Sequence, residues 1–309
     1  MNDMTTVLVL GGYGAVGAHL MVELHAMGAN AIAAGRDSAR TDRMVDVTEP
    51  GLESYIAALA DVDVVVNASG VEDPRLAEIA GRCGAAFIDI TATTAYIAEL
   101  RRLESAAPVL VDVGLAPGLT NLLAAAVYRV SPGPIDLVVL LGAGERHGAA
   151  GTAWAYRLLG GHFPDGARAI RNYTEPKTFD LPGHRRRRLY RVDFSDQHSL
   201  RRDLETPVRT YFGLDSAAAT TALAIATWLP GASSVTWRPH LAGADDWLVL
   251  AYGHDGTIRR ARGRVQSRAT SIVAATAATV APRLPAGVHH LHRVLDLDDL
   301  PTTRGIDID

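Results

Sequence analysis

A glycine-rich turn near the start of the chain constrains the fold more than any other feature. The turn, Gly12-Tyr13-Gly14-Ala15-Val16-Gly17, follows the apolar run Val7–Leu10 and opens a helical pattern that ends near Met27. Glycine has no Cβ, so the chain can turn tightly here and a helix can approach a strand closely. This spacing between a buried strand and a helix predicts a parallel βαβ unit.

The first 125 residues repeat the same alternation of apolar strands and helical patterns. The strands lack polar alternation, as expected when helices cover both faces of a sheet. The predicted strands are Thr6–Leu10, Ala31–Ala34, Arg43–Val47, Asp63–Asn67, Ala86–Ile90 and Val109–Val113. The predicted helices are Ala15–Met27, Gly51–Ala60, Pro74–Cys83, Thr94–Ser105 and Leu119–Tyr128. The pattern predicts an α/β fold with a doubly wound, Rossmann-type parallel sheet.

Composition changes beyond this layer and indicates a second domain. All four tryptophans lie between Trp154 and Trp247, whereas all five methionines lie in the first 44 residues. The strands predicted there are Ile135–Leu141, Leu189–Phe194, Pro207–Phe212, Ser234–Leu241, Trp247–Tyr252 and Thr257–Val265. We expect a first domain over 1–129, an inserted, largely antiparallel α+β domain over 130–264, and a segment over 265–309 that returns to the first domain.

That last segment should begin with the Ala/Thr-rich helix Arg268–Pro282 and end in a solvated acidic tail. His289-His290-Leu291-His292 lies between them and lacks the accompanying cysteines or His-Glu helical pair of a zinc site. We therefore expect a surface segment there and no metal. Arg185–Arg188 follows Pro182-Gly183-His184 and is typical of a solvated hairpin tip.

Charge and cysteine content exclude several classes of function. The net charge of −4 does not favour general binding to nucleic acid or membrane. Cys83 is the only cysteine, so no intramolecular disulfide can form. It lies just before an apolar run and has no visible partner, which favours a buried thiol over a nucleophile. Lys177 is the only lysine, which leaves one candidate for Schiff-base chemistry. The first residues lack the basic region of a signal peptide, and we expect a cytoplasmic protein.

The context of the glycine turn predicts a dinucleotide cofactor. We expect Gly12 to make the tight turn, Gly14 to let the backbone approach a pyrophosphate and Gly17 to allow close helix packing. The amides that open the helix, with Tyr13, Ala15 and Val16 beside them, would hold the phosphates.

The end of the second strand discriminates between the two nicotinamide cofactors. Arg36 stands where NAD enzymes usually carry an acidic residue, so NADP(H) is favoured over NAD(H), although Asp37 follows directly. Asp46 is expected near the adenine. Asn67-Ala68-Ser69-Gly70 ends the fourth strand and is expected beside the nicotinamide ribose.

Three runs at strand ends give the chain a family resemblance. Val66–Gly70, Phe87–Thr91 and Gly114-Leu115-Ala116-Pro117-Gly118-Leu119-Thr120-Asn121 together resemble the saccharopine dehydrogenase-like NAD(P)-dependent oxidoreductases. Val192–Gln197 with Pro207–Leu214 is similar to the family's second domain, and Gly287-Val288 to its C-terminal closure. The resemblance is strong to residue 125 and loose beyond.

The resemblance implies a reductase with an inserted ferredoxin-like domain. Family members typically reduce an imine between an amine and a keto acid or aldehyde, and others are carboxynorspermidine synthases or lipid enoyl reductases. The lysine-forming branch relies on a lysine–histidine pair, which this chain matches poorly. We expect a small, carboxylated, amino-acid-derived substrate and a homodimer, with the second domain serving substrate binding and dimerisation.

Candidate catalytic residues lie at strand ends and in the second domain. Asp89 and Thr91 close the fifth strand and are placed to meet a substrate amine or the nicotinamide amide, although Asp89 could instead cap the next helix. Tyr96 is a candidate proton donor or a packing residue. Asp112 ends the sixth strand and could simply make a local turn bond. The amides after Gly114 could face the nicotinamide.

Three further candidates concern the substrate. Asn121 is placed to bind a substrate or the carboxamide, and Arg209 and Arg238 are the candidates for holding a carboxylate through a bidentate guanidinium. His240 is a possible acid or a structural histidine. Two rival functions stay open: a reductase of C=C or C=O bonds on a lipid or carrier-bound acyl group, and a non-catalytic NAD(P) sensor.

Overall fold

The computed structural model describes residues 4–144, 154–183, 186–234, 243–301 and 305–309. Its contacts divide the chain into two compact units. The first unit comprises Met1–Leu122 and Ser267–Arg304, and the second comprises Leu123–Gln266 and Gly305–Asp309. No helix among the described residues is long and apolar enough to cross a membrane.

The described strands and helices follow in chain order. The strands are β1 (Thr6–Leu10), β2 (Asn30–Gly35), β3 (Arg43–Met44), β4 (Val64–Asn67), β5 (Ala86–Asp89), β6 (Pro108–Val111), β7 (Ile135–Leu141), β8 (His162–Asp165), β9 (Arg168–Arg171), β10 (Thr174–Phe179), β11 (Arg187–Arg191), β12 (Val208–Leu214), β13 (Asp246–Gly253), β14 (Ile258–Arg264), β15 (Gly287–His290) and β16 (Ile306–Ile308). The helices are α1 (Ala15–Ala26), α2 (Glu53–Ala58), α3 (Arg75–Arg82), α4 (Thr94–Leu100), α5 (Thr120–Val130), α6 (Ser195–Asp203), α7 (Ala217–Ala226) and α8 (Gln266–Val280).

The first unit contains the predicted parallel sheet. Its described strands have the order β15-β6-β5-β4-β1-β2-β3, and every neighbouring pair is parallel. The order reverses between β1 and β4, which is the switch point at whose carboxyl edge doubly wound sheets bind ligands. The predicted α/β Rossmann-type fold is confirmed.

The pattern of buried and exposed side chains in α3 shows why a predicted helix forms where it does. In α3, Leu76, Ala77, Ile79 and Ala80 are buried while Glu78 is exposed, which is the pattern of a helix with one apolar face. Together with Phe87 of β5 they belong to one core cluster of the first unit. Each fully buried large side chain contributes roughly 1.5–3 kcal/mol through removal of apolar surface from water.

The return of the chain to the first sheet is visible in two elements of that unit. Arg268 on α8 pairs with Glu23 of α1 at 3.3 Å, and the Ser271 hydroxyl donates to Val16 O at 2.9 Å. After α8, β15 pairs in parallel with β6.

The second unit is built on a mixed sheet with the order β10-β11-β12-β7-β13-β14-β16. Among its described pairings only β12–β7 is parallel, so the sheet is largely antiparallel as expected. The C-terminal residues differ from the predicted solvated tail. They form β16 beside β14, where Arg262 binds Asp307 at 2.7 Å.

The predicted burial of Cys83 is wrong. Cys83 is exposed because it lies at the end of α3, and the apolar run after it forms β5, which starts only at Ala86. The Arg185–Arg188 run lies at the end of the β10–β11 hairpin, where Arg186 and Arg188 are exposed as expected and Arg185 is outside the described residues. Arg187 differs from that prediction, because its guanidinium donates to Leu214 O and Asp215 O, each at 2.6 Å. Most of the predicted strand Ser234–Leu241 lies outside the described residues.

Candidate functional site

The turn between β1 and α1 places glycines where side chains do not fit. Gly11 has a φ of +76°, and a Cβ on it would lie 2.8 Å from Ala68 O. A Cβ on Gly12 would lie 2.8 Å from Ala33 Cα, and one on Gly17 would lie 2.1 Å from Gly11 O. The tight-turn role predicted for Gly12 therefore falls to Gly11, because left-handed backbone favours glycine. Gly12 and Gly17 instead allow β2 and α1 to approach the turn.

Gly14 is less tightly packed than the other glycines of the turn. A Cβ on Gly14 would have only Gly11 O within 4 Å, at 3.1 Å. Gly14 is the N-cap of α1, which has no side-chain cap and no acidic residue in its first turn. The amides of Ala15–Gly17 precede the first bond of the helix, from Ala18 N to Gly14 O at 3.0 Å. Such a helix start combines free amides with the positive end of the helix dipole and suits a phosphate.

Tyr13 lies across the end of β2. Its hydroxyl accepts a hydrogen bond from Arg36 N at 3.3 Å, and a Cβ on Gly35 would lie 2.5 Å from the Tyr13 ring. The Arg40 guanidinium stacks 4.6 Å from the ring centroid and donates to Tyr13 O at 3.0 Å. The Arg36 side chain is exposed. Arg36 and Arg40 thus lie beside the end of β2, and in this fold that strand end contacts the adenosine ribose of the cofactor.

The acidic residues near this strand end are engaged locally. Asp37 Oδ1 accepts from Ala39 N at 3.1 Å, so its carboxylate closes its own turn. Asp46 accepts from the hydroxyl and the amide of Thr48. These bonds, with a smaller contribution from the charge of Arg36, lower the pKa of Asp46.

Five predicted residues meet in one hydrogen-bond network at the ends of β4 and β5. Asn67 Nδ2 donates to Asp89 Oδ2 at 2.8 Å, and Tyr96 OH donates to the same oxygen at 3.2 Å. Thr91 N donates to Asp89 Oδ1 at 2.8 Å, and the Ser69 hydroxyl donates to Asn67 Oδ1 at 2.7 Å. The sequence placed these residues at one sheet edge, and the structure brings them into contact.

The hydrogen bonds of this network favour a positioning role for Asp89 over the contact with a substrate amine or the nicotinamide amide that the sequence predicted. Asp89 is fully buried, and both of its oxygens already accept hydrogen bonds. Burial raises the pKa of Asp89 to about 6, against the lowering effect of its hydrogen bonds. Burial and the neighbouring Asp89 also raise the pKa of Tyr96. The geometry fits a carboxyl that positions Asn67, Thr91 and Tyr96 better than one that contacts a ligand.

Thr91 is tied to a second carboxylate. Its hydroxyl donates to Glu72 Oε1 at 2.9 Å, and the Thr93 hydroxyl donates to the same oxygen at 2.5 Å. Glu72 was not singled out from the sequence, since it lies in a polar loop with no motif. It links the loop after β4 to the loop after β5.

The loop after β6 was the most specific part of the family resemblance. Gly118, with a φ of +130°, donates its amide to Asn121 Oδ1 at 2.8 Å. Leu115 N, which follows Gly114, donates to the Thr270 hydroxyl of α8 at 3.3 Å. Asn121 is fully buried, and its Nδ2 has no hydrogen-bond partner. Asn121, in the first turn of α5 after this loop, therefore has an amide donor without a partner.

The same sheet edge holds a pair that the sequence missed. His290 Nδ1 lies 2.6 Å from Asp112 Oδ2, and both residues are buried. The predicted surface segment is therefore wrong for His290 and Leu291, because β15 carries them to the sheet edge. The apolar Val288 and Leu291 on either side of His290 were the available signal of a strand end. No group of three His, Cys, Asp or Glu side chains in the described parts of the chain is arranged to hold a metal ion.

Arg209 lies on the second sheet opposite Asp136. The two residues are paired in the β12–β7 register, with Arg209 Nη1 3.8 Å from Asp136 Oδ1. Lys177 also binds Asp136. Two cations thus share one carboxylate, and 44% of the Arg209 side chain is exposed. Arg238 and His240 lie outside the described residues.

A buried arginine network in the second unit was not expected. Arg191 is 2% exposed, binds Asp165 at 3.1 Å and donates to Gln197 Oε1 at 3.0 Å. Asp165 also binds Arg201. Burial alone would raise the pKa of Asp165, but the hydrogen bonds and charges of the two arginines outweigh it and lower the pKa. Arg191 could not be singled out from the sequence, because it lies in an arginine-rich stretch.

No protein-family model and no curated protein matches the chain. The structure is similar to a meso-DAPDH variant with DAP from Clostridium tetani E88, at 12% identity, a TM-score of 0.48 and 94% coverage of each chain. It is similar to amine dehydrogenase from Mycobacterium smegmatis at 12% identity and a TM-score of 0.49, covering 97% of this chain and 96% of that chain.

A third similar structure is aspartate semialdehyde dehydrogenase II with ASA from Vibrio cholerae. The identity is 11% and the TM-score 0.39, with 85% of this chain and 75% of that chain covered. Because these identities and scores are low, any functional assignment has to rest on the chain's own residues. The resemblance to saccharopine dehydrogenase-like proteins stays a prediction.

Proposed function

We propose that the chain is an NADPH-dependent reductase of a C=N bond in a small, carboxylated, amino-acid-derived substrate. The observation that carries the proposal is the start of α1 at the switch point of the parallel sheet. There a Cβ on Gly14 would meet one atom, Gly11 O at 3.1 Å, whereas a Cβ on Gly11, Gly12 or Gly17 would lie within 2.8 Å of backbone atoms, so Gly14 has the most room in front of the free helix amides. Room beside one glycine of a packed turn is what a pyrophosphate needs.

The residues around this turn fit the rest of a nicotinamide dinucleotide. Arg36 and Arg40, rather than a free carboxylate, stand at the end of β2, which favours a 2′-phosphate on the ribose. Ser69 and Asn67 stand at the end of β4, where the nicotinamide ribose lies in this fold. When bound, NADPH supplies the hydride. The protein's part is to hold the cofactor, orient the substrate and provide a proton.

The cofactor assignment is tested by replacing Arg36 with Ala. We expect NADPH binding to weaken by ~1.5–3 kcal/mol, the range for hydrogen bonds to charged groups, and NADH binding to change little. Isothermal titration calorimetry measures both affinities. Arg82→Ala is the matched control, since Arg82 is an exposed arginine at the far end of α3 in the same unit. Equal losses for NADPH and NADH in Arg36→Ala would refute the assignment.

The substrate carboxylate is assigned to Arg209. Asp136 is shared with Lys177, so the cluster of Arg209, Lys177 and Asp136 keeps an excess positive charge. A guanidinium on a strand can grip a carboxylate in a bidentate way, and a lysine cannot. We therefore expect Arg209→Lys to raise KM with unchanged NADPH affinity. Arg264→Lys, at an exposed arginine on β14 paired with Asp246, is the control.

The reaction class is tested by screening amine and keto-acid pairs for NADPH oxidation. Reduction of an imine is the favoured reaction, because the run Gly114–Asn121 and the other strand-end runs resemble those of saccharopine dehydrogenase-like proteins. Turnover with a carboxylated imine supports the proposal. Inactivity on all pairs, with turnover of an uncharged enoyl thioester, would instead assign the chain to the lipid reductases. NADPH binding without any turnover would favour the sensor function.

A further inference from the structure

Asp112 and His290 reach the same edge of the parallel sheet from neighbouring strands. Asp112 follows the last residue of β6, and His290 is the last residue of β15. The β15–β6 register pairs His290 with Val111. Because both strands run in the same direction, their carboxyl ends place the two side chains together. In doubly wound sheets this edge is where ligands bind.

The contact between the two residues fixes the imidazole. His290 Nδ1 lies 2.6 Å from Asp112 Oδ2, with Asp112 fully buried and His290 6% exposed. A carboxylate on Nδ1 keeps a proton on that nitrogen and leaves Nε2 as the atom that can exchange a proton. Asp112 has a φ of +58°, a left-handed backbone conformation that Asp and Asn adopt more readily than other residues with a side chain.

Two buried polar atoms near this edge have unmet hydrogen bonds. His290 Nε2 has no partner, and neither has Asn121 Nδ2. Asn121 and Asp112 flank the loop that contains Gly114 and Gly118, and Asn121 Oδ1 is already taken by the Gly118 amide. Buried polar groups in proteins are nearly always paired, so a missing partner calls for an explanation. A bound ligand would supply partners for both atoms.

We propose that His290 is the proton donor of the reaction and that Asp112 is its positioning residue. This inference rests on the proposed function. The proton passes from His290 Nε2 to the nitrogen of a neutral imine while the imine carbon accepts the hydride of the reductant. The C=N double bond becomes a single bond, the oxidised cofactor and the secondary amine are released, and His290 regains its proton from water. Asp112 accepts from His290 Nδ1 and so orients the imidazole, and Asn121 donates to an acceptor on the ligand.

The test compares His290→Gln and Asp112→Asn with the control His289→Gln. Asn is suited to position 112 because it tolerates the left-handed backbone. His289 precedes His290 on β15, but its Nε2 contacts Pro285 O in an exposed bond. Thermal unfolding first establishes that each variant is folded. Calorimetry then measures NADPH affinity, and single-turnover kinetics measures NADPH oxidation with Δ¹-pyrroline-2-carboxylate as the probe imine.

We expect His290→Gln and Asp112→Asn to slow hydride transfer by about 10²–10⁴-fold, the range for general acid catalysis, with NADPH affinity unchanged. His289→Gln should react as the wild type does. A loss below about tenfold in His290→Gln would overturn the proposal.

A second readout does not depend on turnover. In protein labelled with ¹⁵N-histidine, the His290 Nε2 resonance, identified by its loss in His290→Gln, should shift when NADP⁺ and the planar mimic pyrrole-2-carboxylate are added. It should shift less in Asp112→Asn. If the wild type shows no turnover with any imine but Nε2 still shifts, the proposed reaction fails while the ligand-facing role of His290 stands. An Nε2 resonance that does not respond to these ligands overturns the proposal.

Discussion

Gly14 and Gly17 lie three residues apart in one turn, yet replacing each with alanine should have opposite consequences. A Cβ on Gly17 would lie 2.1 Å from Gly11 O and 2.8 Å from Gly12 Cα, both backbone atoms. Real Cβ atoms essentially never come within 3.0 Å of such atoms, so α1 would have to move by roughly 1 Å in a close-packed interior. Overpacking of this kind costs about 1–3 kcal/mol of folding free energy.

Gly14→Ala should leave the fold intact and damage the cofactor site. Its φ of −72° and ψ of 178° suit any residue, and its Cβ would contact only Gly11 O, at a tight 3.1 Å that a shift of a few tenths of an ångström relieves. The methyl group would stand in front of the amides that open α1. Losing hydrogen bonds to a charged phosphate costs about 1.5–3 kcal/mol, which raises the Kd for NADPH by roughly 10- to 100-fold.

Urea denaturation measures the free energy of unfolding of the two variants, and calorimetry measures their affinity for NADPH. We expect Gly17→Ala to lower the free energy of unfolding and Gly14→Ala to leave it almost unchanged while weakening NADPH. If Gly14→Ala binds NADPH as tightly as the wild type, the open space at Gly14 is not the phosphate site. If Gly14→Ala is as unstable as Gly17→Ala, the distinction drawn from packing is wrong.

Two further predictions concern buried charges. Asp165→Ala removes the nearer counter-charge of the buried Arg191 and leaves Glu175 at 3.9 Å, so urea denaturation should show a loss of about 3–5 kcal/mol, whereas Arg191→Met should cost less because Asp165 keeps Arg201 as a partner; a larger loss in Arg191→Met would contradict this. The pKa of Asp89 is raised from 3.8 to about 6, so its protonated form stabilises the fold below pH ~4 and this stability is lost as the pH rises through about 6. The stability advantage of the wild type over Asp89→Asn should therefore fall by up to about 3 kcal/mol between pH 4 and pH 7, and a difference that does not change with pH would refute it.

The first unit was predictable because its signals are local. Continuous apolar runs such as Val64–Val66, separated by amphipathic helices, define a parallel sheet, and the glycine spacing at Gly12, Gly14 and Gly17 locates its ligand edge. The sequence also put Asn67 and Asp89 at that edge. It could not show that Asp89 would be enclosed, because that depends on Tyr96 folding back over it.

The parts that were missed depend on distant contacts. β8, β9 and β10 are largely exposed, so they lack the apolar alternation that identifies a strand. The pairing of β16 with β14 and of His290 with Asp112 joins residues that are far apart in the sequence. Cys83 was misjudged because the apolar residues after it enter a strand that starts only at Ala86.

Binding of NADPH at the turn before α1 can be measured by titrating the wild-type chain with NADPH in a calorimeter. We expect one NADPH bound per chain, a weaker affinity for NADH, and weaker NADPH binding in Gly14→Ala at unchanged stability. Absence of binding by either cofactor to the folded wild-type protein would contradict this expectation.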